Sequence, residues 1–483
     1  MADDSKWGGL LSLEDGRLSM NAVPLSQLAE QYGTPLFVFS ESRIRENIAR
    51  IAAIRDHIQC PLMICYAAKA NSTMAILRVV NDAQCDIEVN SGGELWKALK
   101  VGFRGDQIIF NGTSKDEWEL ELAIENGVYA IQVDSLYELS LTESIARSLN
   151  KSANVSLRLV PGIEAKTHSG LQTALLTSKF GMMPDEALAA FRLYRDTPHL
   201  DLAGIHLHIG SQVNDAEVYT QALRTLFSNV ERIYKETGVR IKHVNLGGGF
   251  PVDYLREFTL ASGLADDQQN ILSASLDPAT AVGAAWDAVK SDAAGNNTSD
   301  LLDELTLLLE PGRSIISDAG ICLTTVRNFK QRPIDPLQKI RDEKVSNVGP
   351  SFASNEDWLF TDAGFNILLS METYKWYYHL VSVSRPAEPH DHRYKVAGPL
   401  CDGGDVYFDI EGKERLPEHR LLPADVKPGE ILALLNCGAY SLAQASQYNG
   451  RFIPAVVMVR EDGTADLIRS RESFEDLIAH DLF

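Results

Sequence analysis

Positive charge is what this sequence has least of. Its 45 Lys and Arg stand against 66 Asp and Glu, a formal net charge of -21. An acidic surface of that kind repels nucleic acid and anionic membranes, so both are excluded as expected partners. Cysteine is sparse and unpaired, at positions 60, 65, 85, 322, 401 and 437. No Cys-x-x-Cys occurs and no paired metal-ligand spacing is visible, so no metal is expected. This usage suits a reducing cytosol. The first residues, Met1-Ala2-Asp3-Asp4-Ser5, lack the basic and apolar parts of a signal peptide. No apolar run reaches membrane-spanning length. The expectation is a cytoplasmic protein acting on a small molecule. Internal repeats with a period of 20 to 50 residues are also missing.

What is present is an ordinary globular composition with a change of pattern along the chain. Hydrophobic residues make up 45% and charged residues 23%, enough for two or three domains over 483 residues. Residues 1–40 read as short strands and turns ending in Pro35-Leu36-Phe37-Val38-Phe39, expected to join a C-terminal β domain. From 41 to 320, strand-like runs alternate with amphipathic helices such as Trp118 to Glu125 and Glu217 to Thr237. The runs are Leu62–Tyr66, Cys85–Val89, Ile108–Phe110, Ala130–Val133, Val155–Val160, Gly204–His208, His243–Leu246 and Leu305–Glu310. Eight such units predict an α/β protein with a (β/α)8 barrel, as in TIM-type folds. A doubly wound sheet is the alternative, but the GxGxxG that usually announces it is missing. Residues 321–483 read as a mainly antiparallel β domain. Two polar stretches, Ser262 to Asp300 and Pro333 to Asp357, read as peripheral insertions.

The chemistry sits at the expected C-terminal ends of the barrel strands, where such folds carry their sites. Lys69, in Tyr66-Ala67-Ala68-Lys69-Ala70-Asn71, follows the first core strand. Burial there is expected to depress its proton affinity and free the amine for Schiff-base chemistry. His206-Leu207-His208-Ile209-Gly210-Ser211, Gly247-Gly248-Gly249 and Glu310-Pro311-Gly312-Arg313 follow at later strand ends. His208 can stack on a ring, and the glycines let backbone N–H groups approach a phosphate. Ser211 can donate to that phosphate, and Glu310 can pair with a protonated pyridine nitrogen. Singly, each has an ordinary alternative: a snorkelling lysine, a core histidine, a turn. Their recurrence at successive strand ends points to one phosphorylated aromatic cofactor.

These motifs, with Asp362-Ala363-Gly364, Gly398-Pro399-Leu400-Cys401-Asp402-Gly403-Gly404-Asp405 and Gly438-Ala439-Tyr440, resemble the fold-type III pyridoxal-phosphate-dependent decarboxylases. That group contains the diaminopimelate and eukaryotic-type ornithine decarboxylases, and the likeness runs over roughly residues 30 to 480. The resemblance implies pyridoxal 5'-phosphate carried on Lys69, with His208 on its ring and Glu310 at its nitrogen. It places Ser211, Gly248, Gly312, Arg313 and Tyr440 around the cofactor. It implies Cys401 as the acid that returns a proton to the substrate's Cα. Asp402, Tyr374, Tyr440 and Arg313 are implied in substrate binding. Cys401 and Asp402 are implied to serve the neighbouring subunit, hence a homodimer with shared active sites.

Two departures bear on the substrate. Where diaminopimelate decarboxylases carry an arginine for the distal carboxylate, an ungapped reading places Ser370, while Tyr374 matches the tyrosine that follows. Cys401-Asp402-Gly403-Gly404-Asp405 replaces their usual Cys-Glu-Ser-Gly-Asp. That form, the continuation Asp362-Ala363-Gly364-Phe365-Asn366 and the ending Arg469 to Leu477 look more like the bacterial D-ornithine/D-lysine decarboxylases. The expected reaction is therefore decarboxylation of D-lysine or D-ornithine to a diamine. The alternatives are meso-diaminopimelate or a modified diamino acid of a siderophore or natural-product pathway. Outside the class stand an amino-acid racemase, which lacks the Cys401 motif, and a non-catalytic regulator, which would have no need to retain Lys69, His208, Glu310 and Cys401.

Overall fold

The computed structural model describes residues 7, 9–160, 179–255, 264–333 and 355–482. The chain divides into two compact units: Met1–Glu41 with Tyr254–Leu272 and Asp318–Phe483, and Ser42–Asp253 with Ser273–Ser317. Among the described residues no helix is long and apolar enough to cross a membrane.

In chain order the first unit begins with β1 (Ser12–Glu14), β2 (Arg17–Met20) and β3 (Val23–Pro24), a small antiparallel sheet, and then β4 (Leu36–Ser40). The second unit contributes β5 (Leu62–Ala67), β6 (Asp86–Val89), β7 (Ile108–Phe110), β8 (Ala130–Val133), β9 (Ala153–Arg158), β10 (Leu200–His206), β11 (His243–Asn245) and β12 (Thr306–Leu309). These eight close into a barrel, with β12 pairing β5, and every ladder is parallel. Covered on both faces, such strands carry continuous apolar runs rather than alternation. Leu307, Leu308 and Leu309 are all fully buried. The connecting helices bury one stripe each. The longest, Ala216–Thr237, buries Val218, Leu223, Leu226, Val230 and Ile233. It opens with the Asp215 carboxylate accepting from the Glu217 N–H and stops at Gly238, in the left-handed region at φ 74°.

The stretch Ser262 to Asp300 departs from the peripheral reading. Pro278–Asn296 is a helix of 19 residues that buries Val282, Ala285, Trp286 and Val289 and packs along Ala216–Thr237. Small alanines let two helices approach closely, and that is why the stretch looked featureless. The segment Tyr254–Leu272, placed with the barrel by the 41–320 boundaries, groups instead with the first unit. Tyr254 meets the ring of Trp376 edge-on at 5.1 Å, and Gln268 Nε2 donates to the Lys375 carbonyl at 3.0 Å. Most of Pro333 to Asp357 lies outside the described residues.

The first unit continues with β13 (Gly320–Pro333), β14 (Asn355–Thr361), β15 (Leu380–Ser382), β16 (His392–Ala397), β17 (Arg420–Leu422), β18 (Ile431–Leu434), β19 (Ala455–Val459) and β20 (Ala465–Arg469). Their sheet runs β17-β16-β14-β13-β4-β19-β20, with β18 also on β13 and β15 on β18. It is mainly antiparallel; among the described residues only β14–β16 and β19–β4 are parallel pairs. Leu36, Val38, Ile321, Leu323, Val381, Ala433 and Val457 share its buried core.

Candidate active site

The barrel strands end in polar residues that converge. After β5 the chain makes one tight turn, Ala68–Ala70, and Lys69 stands on it. Its Nζ lies 3.7 Å from Glu88 Oε1 at the end of β6. The Lys69 side chain remains 40% exposed, so the desolvated setting expected for it is not what surrounds it. Glu88 is fully buried, as is Glu310 beyond β12 to within 5%.

One side chain joins these two acids. Asn111, just after β7, donates from Nδ2 to Glu88 Oε1 at 2.7 Å and to Glu310 Oε1 at 3.0 Å. Asn245, the last residue of β11, donates to the same Glu310 oxygen at 2.7 Å. His206 Nε2 lies 3.6 Å from Glu310 Oε2. Burial first, and then the charge of Glu88, push the Glu310 carboxyl up to about 7. Burial, with the nearby Arg158 charge, holds His206 well below its usual range, so it is a neutral imidazole. Burial also lowers His208, with Lys69 and Arg158 adding to the effect, although its ring keeps some exposure at the barrel mouth.

On the other side of the mouth, the loops after β11 and β12 meet. Arg313 Nε donates to Ser211 Oγ at 3.2 Å. The Glu310 N–H donates to the Gly247 carbonyl at 2.8 Å, and the Gly248 N–H points to His208 Nδ1 at 3.4 Å. Gly247 sits at φ 70°, which favours glycine. A Cβ on Gly248 would collide with the carbonyl oxygen of Glu310. Loops after the seventh and eighth strands form the usual phosphate site of such barrels. Gly312 opens the short helix Arg313–Ile316, and a Cβ built on it would stand 3.1 Å from the Ala67 Cβ and 3.2 Å from the Ala70 Cβ.

The remaining expected residues belong to the first unit and are described by themselves. Cys401 and Asp402 lie exposed on the loop after β16. Asn449 Oδ1 accepts from the Cys401 N–H at 2.7 Å. Asp402 Oδ1 accepts from the Gly404 N–H at 2.9 Å and Oδ2 from the Tyr448 hydroxyl at 3.3 Å. Ser370, buried on the helix Leu369–Thr373, reaches the Tyr440 carbonyl at 3.5 Å and Gln444 Oε1 at 3.4 Å, and the Tyr374 N–H donates to its carbonyl. Tyr440 has a positive φ of 56°.

Residues 43–317 match the family described as "Pyridoxal-dependent decarboxylase, pyridoxal binding domain". The chain is 30% identical over 478 residues to the diaminopimelate decarboxylase of Methanocaldococcus jannaschii, covering 98% of this chain and 96% of that one. It is 31% identical over 472 residues to that of Bacillus subtilis, covering 97% and 96%. A crystal structure of the M. jannaschii enzyme superposes with a TM-score of 0.81 at 30% identity, covering 98% of each chain. The chain belongs to the pyridoxal-dependent decarboxylase family, and it is a pyridoxal-phosphate-dependent carboxy-lyase. These relatives are diaminopimelate decarboxylases, so they do not single out the D-ornithine/D-lysine branch favoured by the Cys401 motif.

The barrel mouth fits the cofactor on its own features. A primary amine, a buried carboxylate and a glycine cradle closed to any Cβ face one another across it. Asn111, Asn245 and Arg158 escaped the sequence reading, while Glu88 and His206 stood at strand ends in it without an assigned role. Asn245, two residues before the glycine triplet, and Glu88, polar within an apolar run, were the available signals.

Proposed function

We propose that the chain decarboxylates a diamino acid at the barrel mouth, with Lys69 as the attachment point of the cofactor. The observation that carries this reading is the line Lys69–Glu88–Asn111–Glu310 at the ends of adjoining strands. When bound, the cofactor supplies an electron sink for the pair released as the Cα–carboxylate bond breaks. Glu310, held by two amide donors, carries the negative charge that keeps a pyridine nitrogen protonated. His208 covers a ring face. Ser211, Arg313 and the Gly247–Gly249 backbone bind the phosphate, with Gly312 allowing close approach. Cys401 and Asp402, from a second copy of the chain, return a proton to Cα and pair with the distal ammonium. Tyr374 and Tyr440 line the substrate's path.

The relatives support meso-diaminopimelate as the substrate. A second reading rests on Ser370, which stands at the expected place of a carboxylate-binding arginine. A diamino monocarboxylic acid such as D-lysine or D-ornithine needs no such contact. A lost charge-assisted bond costs about 1.5–3 kcal/mol, roughly ten- to hundredfold in specificity. The deciding measurement is kcat/KM for meso-diaminopimelate, D-lysine, D-ornithine and their L-forms under one set of conditions. Preference for meso-diaminopimelate establishes the first reading, and preference for a D-diamino monocarboxylate the second. The absence of carbon dioxide release from all of them refutes both.

A further inference from the structure

Two buried carboxylates bridged by one neutral amide are an unusual expense for a fold. Burying a charge costs several kcal/mol unless donors and counter-charges offset it. Both protons of Asn111 Nδ2 are used, one on each acid, at 2.7 and 3.0 Å. Asn111 is itself 3% exposed, and its Oδ1 and Glu88 Oε2 are buried without hydrogen-bond partners among the described residues. The donor face of the amide is thus committed to the two acids, while among the described residues none donates to its acceptor face. A packing residue would not need that polarity. The other charged or titratable groups facing Glu310 are Lys69 after β5, Cys65 within it, Arg158 from β9 and His206 from β10. Arg158 and Lys69 are the cations that balance two acids.

We propose that Asn111 is a positioning residue that ties Glu88 to Glu310, keeping Glu310 ionised toward the pyridine nitrogen of the cofactor. Glu88 in turn faces Lys69, so the amide couples the attachment lysine to the acid at the far end of the ring. This inference rests on the assignment of Lys69 and Glu310 given above. An amide donor stabilises a carboxylate and not a carboxylic acid. Losing it leaves two like charges facing each other with Asn245 as the remaining amide donor on Glu310, and Glu310 takes up a proton more readily.

The test is Asn111→Leu, which keeps the size of the side chain and removes both donors, with Asn111→Ala as the alternative should the leucine not fold. In the holoenzyme, the visible absorbance of the bound cofactor is titrated against pH beside the pH profile of kcat. The acid-side midpoint of both should rise by about one unit, a tenfold change in protonation constant, while KM stays within about twofold. Glu88→Gln removes the like charge and should lower the midpoint; combined with Asn111→Leu it should reverse part of the rise. An unmoved midpoint in Asn111→Leu, or in Glu88→Gln alone, overturns the coupling. The parent assignment fails separately, if wild-type protein treated with borohydride holds no cofactor on Lys69.

Discussion

Glu310→Gln is the most revealing single change, because the structure predicts that it stabilises the cofactor-free protein and does so only in part of the pH range. The native carboxyl is raised from its ordinary 4.5 to about 7, first by burial and then by Glu88. In the unfolded chain it releases its proton near 4.5. Between the two values the folded state holds a proton that the unfolded state does not, so unfolding becomes easier as pH rises. The stabilising effect is complete below pH 4.5 and lost above about 7. At about 1.36 kcal/mol per unit, the displacement amounts to roughly 3 kcal/mol. A glutamine keeps the shape and can still accept from Asn111 and Asn245, while its own amide can donate to the unpartnered Nε2 of His206. It has no proton to exchange in this range. Urea unfolding of wild-type and variant apoprotein, followed from pH 4.5 to 8.5, should give equal stabilities at the acid end. The variant should gain steadily to about pH 7 and hold a plateau beyond. Two probes are needed, because two compact units need not unfold together. Parallel curves across the whole range would refute the idea that Glu310 is a strained, desolvated acid. The same variant should lose most of its decarboxylase activity, since a neutral amide cannot stabilise a protonated pyridine.

Inactive Lys69→Ala and inactive Cys401→Ala subunits, mixed and allowed to exchange, should regain partial activity if each site draws on two copies; no recovery despite demonstrated exchange speaks against shared sites. Trp286→Ala should cost about 3–5 kcal/mol in urea unfolding, the usual cost of emptying a buried aromatic position. A loss under about 1 kcal/mol would restore the peripheral reading of Ser262 to Asp300.

The barrel was legible because parallel strands buried on both faces spell unbroken apolar runs, and eight of them alternate with helical stretches. β15 and β17, three residues each, left no such trace, and the helix Pro278–Asn296 hid behind alanine and glycine. In the site, the residues legible in sequence were those whose type is tied to a job at a strand end: Lys69, the glycine triplet, Glu310. Glu88, Asn111 and Asn245 were not, because their meaning arises only when β6, β7, β11 and the loop after β12 close around one point. The exposure of Lys69 was misjudged for a related reason. An apolar strand says that its own residues are buried, and says little about a side chain two positions past its end.

The place of β4 has a consequence for how the chain is made. Leu36–Ser40 lies between β13 and β19, and β19 ends about 420 residues after β4 on the polypeptide. At a ribosomal rate of about 5–20 residues per second, roughly 20–80 seconds separate the synthesis of that strand from that of its last neighbour. Until β13 is made, Leu36-Phe37-Val38-Phe39 is an apolar segment with both edges bare, and one edge stays bare until β19 follows, the sort that other chains can capture. The nascent protein must therefore carry an apolar strand with an unpaired edge from the synthesis of β4 until that of β19. Chaperone dependence during expression is the expected signature, and slower elongation, which lengthens the interval, should deepen it.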